Sequence, residues 1–139
     1  MVDEAFITHY ITSTFAGVET AVNLGYTFFF YRDDHQHGFA TIASNGNPHE
    51  VISRLDRPGV YRLNLGVSRA TFEALFGVGK ADTGGYDYTA LDVLMPHPDY
   101  AAAHCVCVLS PSQATFERLH PLLAEAYDLA KARYQWRQV

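Results

Sequence analysis

The chain has 139 residues, 48% of them hydrophobic and 14% aromatic, and 15 acidic side chains against 10 basic ones set its formal net charge at −5. That length and apolar content suit one domain with one core and exclude a disordered chain, and no stretch reaches the ~20 apolar residues of a membrane-spanning helix. An acidic balance repels phosphate backbones and no run of Lys or Arg offsets it, so general nucleic-acid binding starts at a disadvantage. Cys105 and Cys107 are too few and too close together for a disulfide framework. Met1-Val2-Asp3-Glu4 is acidic where a secretory signal is basic, so the expected location is cytoplasmic.

Taken in chain order, Phe6, Ile7, Tyr10, Ile11 and Phe15 recur at helical spacing, which predicts a helix over Asp3 to Phe15 that stops at Gly17. The aromatic, β-prone segment from Tyr26 to Arg32 predicts a strand, and Phe39 to Ser44 a second, joined by the polar loop from Asp33 to Gly38. Asn45-Gly46-Asn47-Pro48 and Arg57-Pro58-Gly59 are turns. The second turn launches the clearest strand, with Tyr61, Leu63, Leu65 and Val67 on one face and Val60, Arg62, Asn64 and Gly66 on the other. Ser68 caps a helix whose stripe is Phe72, Leu75 and Phe76, ended by Gly77.

A long connection follows from Gly77 to Ala101, broken by Gly79, Gly84, Gly85, Pro96 and Pro98, with a short helical turn expected around Thr89 to Leu94. The last strand is His104 to Leu109. A helical region then runs from Ser112 almost to the end, and Pro121 should divide it into a short and a longer helix. Val60 to Phe76 and His104 to His120 align without gaps as strand-then-helix units, Ser68-x-Ala70-Thr71-Phe72-Glu73-x-Leu75 against Ser112-x-Ala114-Thr115-Phe116-Glu117-x-Leu119. Shared capping needs and an old duplication both account for that match, and both place paired β–α units on one sheet.

Three segments resemble the MmcQ/YjbR-like domains: Pro58 to Leu65, then Met95-Pro96-His97-Pro98-x-Tyr100, then the tail from Leu122 to Ala130. The resemblance implies the CyaY (frataxin-like) fold: an α+β domain in the order α-β-β-β-α-β-α, its antiparallel sheet of about five strands covered by helices. It implies no settled activity, only a DNA association by family analogy.

Other chemistry is sparse. His35 and His37 could ligate one ion if extended, but they sit among Asp33 and Asp34 in a polar loop and read as solvated residues, so no metal is expected. Cys105 and Cys107, interleaved with Val106 and Val108, read as small buried hydrophobes in a strand. No phosphate loop, dinucleotide fingerprint or nucleophile elbow occurs, so no cofactor and no catalytic residue is assigned. The better concentration lies on and beside the long connection, where Tyr86, Asp87, Tyr88, Asp92, His97, Tyr100 and His104 sit near Arg62 and Asn64. If the connection folds over that strand face, Arg62, Asn64, His97, Tyr100 and His104 become a ligand-binding group suited to a small anion. The rival arrangement has Arg62 tied to a carboxylate of the connection, with the tyrosines merely packing.

The first functional expectation is therefore a non-enzymatic binding or interaction domain with a protein or small-molecule partner. DNA binding would require Arg54, Arg57, Arg62 and Arg69 to share one surface. The second is an anionic-ligand-binding protein or enzyme with a pocket under the Gly77 to Ala101 connection. A frataxin-like metal role is weaker, because the first helix offers only Asp3 and Glu4. No membrane partner is expected, and an exposed sheet edge could make a homodimer.

Overall fold

The computed structural model of the protein describes residues 1–78 and 83–137. It is an α+β structure in which three helices pack on a single six-stranded sheet. The first helix, α1, spans Glu4–Thr14, and Asp3 caps it by accepting from the Phe6 amide. Strand β1 (Val18–Asn23) forms a hairpin with β2 (Tyr26–Tyr31) through Leu24 and Gly25, both at positive φ (54° and 81°). Two consecutive positive φ angles match the turn whose twist suits a two-residue hairpin. Strand β3 spans Ala40–Ala43, β4 Arg62–Gly66, β5 Met95–Pro96 and β6 Cys105–Leu109. All pairings are antiparallel, in the order β1-β2-β3-β4-β6-β5.

Strand alternation divides the sheet into two unlike faces. Phe29, Tyr31, Ile42, Leu63, Leu65, Val106 and Val108 point to one side. There they meet Ile7 and Ile11 of α1, Phe72 of α2 (Arg69–Phe76) and Phe116, Leu119 and Leu123 of α3 (Gln113–Arg137). Burying this apolar face against three helices is the main source of stability. The other face carries Ala43, Met95, Cys107 and Leu109, which pack with Leu55, Val60 and Tyr88 from the connections. Among the described residues, that second layer contains no α-helix and covers only part of the sheet.

Several expectations need correction. Strand β1 was not foreseen, nor was β5, which lies inside the long connection, so the sheet has six strands rather than about five. The expected helical turn from Thr89 to Leu94 does not form: Thr89 ends a turn in which the Asp87 carboxylate accepts from its amide (3.0 Å) and hydroxyl (2.6 Å), and the chain then bends at Leu91 and Asp92. Pro121 does not divide the last helix: α3 is continuous for 25 residues. Its missing N–H costs one backbone bond, which is offset by seven buried side chains spread along the helix from Thr115 to Ala130. Gly79, expected as a breaker, lies outside the described residues. None of the helices among the described residues is long and apolar enough to cross a membrane.

The two aligned β–α units share their caps in detail. Ser68 Oγ accepts from the Thr71 amide (3.1 Å) and contacts the Thr71 hydroxyl, and Ser112 Oγ does the same with Thr115 (3.2 Å).

Candidate functional site

The site is built on the face of β4 opposite the helices. Arg62, Asn64 and Gly66 alternate onto this face, beside Ala43 and Thr41 of β3 on one flank and Leu109, Cys107 and Cys105 of β6 on the other. Arg62 has no exposed surface, yet it stands in the middle of a sheet where an unpaired charge would be prohibitive. Its guanidinium is held on three sides. Nε donates to Asn64 Oδ1 (2.9 Å), Nη1 to Ser53 Oγ (2.8 Å), and Nη2 pairs with Glu50 Oε2 (2.9 Å). Asn64 Nδ2 in turn donates to Thr41 Oγ1 (2.9 Å), and the Tyr26 hydroxyl donates to Glu50 Oε1 (2.5 Å). Burial, and then the Glu50 carboxylate, push the Tyr26 phenol up to about 12, so it remains a donor at neutral pH.

His97 follows β5 and faces the same network, with Nε2 lying 3.4 Å from Arg62 Nη2. On its other side, Nδ1 accepts from the amides of Asp99 (3.0 Å) and Tyr100 (3.1 Å). Burial, and then the Arg62 charge, lower its pKa to about 4, so the ring is neutral at pH 7. Tyr100 lies 5.0 Å from the His97 ring, centroid to centroid, and is 61% exposed.

Above this network lies an open groove of about 490 Å³, within the size range of small-molecule sites. Tyr26 and Phe28 form one aromatic wall, Tyr100 stands on the opposite rim, and Glu50, Asn64 and His97 supply polar groups. Gly66 and Cys105 face one another across β4 and β6 along its lining. A Cβ built on Gly66 would meet nothing within 4 Å, so the glycine leaves open space at this point. Burial raises the pKa of the Cys105 thiol, which keeps it protonated.

Of the residues singled out in the sequence, Arg62, Asn64, His97 and Tyr100 are brought together. His104 is not: its backbone is left-handed (φ 65°) and its ring lies 5.7 Å from Phe72 of α2, on the helical side of the sheet. The groove also does not lie under the long connection as a whole. Among the described residues of that connection, only the segment from His97 to Tyr100 borders it, and the opposite side comes from the strands and from His49 and Glu50.

Arg62 does pair with a carboxylate, but that of Glu50, before β4, rather than one in the long connection. Asp87 is occupied by Thr89, and Asp92 accepts from the Ser112 amide (2.7 Å). The Tyr88 hydroxyl donates to the Pro96 carbonyl (2.7 Å). Sequence reasoning missed Glu50, Tyr26 and Ser53. The available signal was Arg62 itself, since an arginine on a central strand requires a buried carboxylate.

The four arginines needed for a DNA-binding surface do not form one. Arg62 is buried, Arg54 pairs with Asp56, Arg57 donates to the carbonyls of Ser53, Arg54 and Thr89, and Arg69 pairs with Glu73 on α2. His35 contacts Glu19 (2.8 Å) and stacks on Phe30. Among the described residues, no group of three or more His, Cys, Asp and Glu side chains could hold a metal ion.

Fold and groove together define a helix-backed antiparallel α+β domain with a polar groove on its open sheet face. The chain belongs to DUF6194, a family of unknown function whose model it matches over residues 2–139. This overturns the resemblance to the MmcQ/YjbR-like domains and, with it, the frataxin-like name. The segments that suggested it perform general structural tasks: a turn at Gly59 (φ 74°) before β4, a short edge strand with its turn, and the buried stripe of a long helix. No curated protein and no solved structure matches this chain.

Proposed function

We propose that this chain is a small-molecule-binding domain whose ligand lies in the open-face groove and is planar and neutral or cationic. The observation that carries this reading is a groove of about 490 Å³ with aromatic walls, above polar groups that a buried Arg62–Glu50 pair already holds in position. Preorganised polar groups lower the cost of ordering on binding. The charge balance favours this ligand class over an anion. Glu50 occupies the guanidinium edge that an anion would need, and Glu50 and Asp99 are the carboxylates of the lining, which contains no Lys or Arg among the described residues. Tyr26, Phe28 and Tyr100 offer ring faces on which a flat ligand can stack. Binding rather than turnover is supported by the protonated Cys105 thiol and by a His97 ring already engaged through Nδ1.

The test is a pair of probes with one ring system and opposite charge, tryptamine and indole-3-acetate, titrated into ¹⁵N-labelled protein. Tryptamine is expected to give saturable amide shifts confined to Gly38, Thr41, Asn64 and Gly66, with indole-3-acetate giving none. Shifts from indole-3-acetate alone, or scattered shifts from both, would overturn the reading. Gly66→Val, which fills the groove from its open point, should abolish the tryptamine response while the protein remains folded.

A further inference from the structure

His97 raises a problem of hydrogen count. A neutral imidazole carries one N–H, so one ring nitrogen donates and the other accepts. Nδ1 receives two backbone amides, at 3.0 and 3.1 Å, while Nε2 faces one guanidinium nitrogen at 3.4 Å. With the proton on Nδ1, two amides would lose their acceptor and point at another donor, to keep one long contact with Arg62. With the proton on Nε2, both amide bonds are made and only the long contact is lost. Two bonds of ordinary length outweigh one of 3.4 Å, so the proton belongs on Nε2.

The consequence is a pair of donors with no acceptor between them. Arg62 Nη2 uses one hydrogen on Glu50 and aims the other towards His97, whose Nε2–H points back. Of the two, His97 lines the groove, while the fully buried Arg62 lies beneath it. Glu50 and His97, on either side of this junction, both line the groove. A carboxylate oxygen placed there would meet the Glu50 carboxylate, whereas a neutral oxygen would not.

Resting on the groove being a ligand site, we infer that His97 is its specificity-determining donor: its Nε2–H recognises a neutral acceptor oxygen, a carbonyl or carboxamide, on the planar ligand. The ligand class narrows accordingly to flat ring systems that carry an uncharged C=O. Asn64, whose Oδ1 is committed to Arg62, keeps its place beside the junction.

The experiment uses the full chain and two probes, nicotinamide and 3-methylpyridine, which share a ring and differ by the carboxamide. Long-range ¹H–¹⁵N spectra of the free protein first report which ring nitrogen of His97 carries the proton. The expected result is protonation at Nε2, a shift of that Nε2–H when nicotinamide is added, and a roughly three- to tenfold preference for nicotinamide over 3-methylpyridine, as one good hydrogen bond supplies. His97→Phe should erase the preference, and His97→Gln, which returns an N–H near the Nε2 position, should restore part of it.

Protonation at Nδ1 in the free protein overturns the inference whatever the variants do. Equal groove binding of both probes with an unmoved Nε2–H overturns it too and leaves the groove reading intact. If neither probe nor tryptamine moves the groove amides, the groove reading fails and the inference falls with it.

Discussion

The two faces of β4 sit one residue apart and obey different rules. Leu63 and Leu65 enter a helix-covered core through area and shape alone, and any well-packed hydrophobe of similar volume would serve. Arg62 and Asn64, also buried, are held by a directional network with no interchangeable part: one guanidinium, one carboxylate, three hydroxyls and an amide. The helical face supplies the stability. The opposite face uses part of it to hold polar groups, and it is the face left partly open to solvent.

The sharpest way to break this contrast is to remove one residue from each side. Arg62→Met leaves the Glu50 carboxylate without its partner and should cost about 3–5 kcal/mol in urea unfolding, because an unpaired charge is stranded in a nearly dry site. Leu63→Ala should cost a comparable 2–5 kcal/mol through the cavity it leaves. The two differ in rescue. Adding Glu50→Gln to Arg62→Met should recover most of the loss, while no single polar change should rescue Leu63→Ala. Equal behaviour of the two would mean that the network contributes nothing beyond packing.

A pH series separates the faces next. His97 has a folded pKa of about 4 against an unfolded value near 6.5, so the unfolded chain binds the extra proton between these values. Its contribution to stability is complete above about pH 6.5 and is lost as pH falls towards 4, with an upper bound of about 3 kcal/mol. The charges that act on it are those of Arg62 and Asp99. Equilibrium unfolding at pH 7 and pH 4.5 should show the fall, and His97→Phe should flatten it. Persistence of the slope in that variant would place its source elsewhere.

Smaller effects belong to the helical side. Ser68→Ala and Ser112→Ala should each cost about 1 kcal/mol, as loss of a side-chain cap does. The paired values sharpen the likeness of the two β–α units: similar losses would follow from their matching Ser–Thr contacts. Smallest of all, Gly66→Val should change stability by under about 1 kcal/mol, since a β-branched residue suits a strand and the space is empty.

The same contrast explains what the sequence made legible. The helical face was readable because period-two alternation in β4 and the apolar stripes of α1 and α2 are local patterns. Strand β1 escaped because its hairpin turn places Leu24, rather than Asn or Asp, at a positive-φ position, which hides the usual turn signal. The continuous α3 escaped because Pro121 speaks locally while the packing from Thr115 to Ala130 acts over the whole helix. In the site, Arg62, Asn64, His97 and Tyr100 could be nominated as polar residues in an apolar setting. Glu50 could not be chosen among fifteen acids, since its partnership depends on how the residues between β3 and β4 fold back.

Gly66 has a consequence beyond its own strand. Its neighbours in sequence, Leu65 and Val67, are buried in the helical core, while its own missing side chain faces the groove. A change at this one position alters the depth of the groove without touching the layer that folds the chain. On the proposed reading of the groove, selection on binding can therefore act at residue 66 almost independently of selection on whether the chain folds.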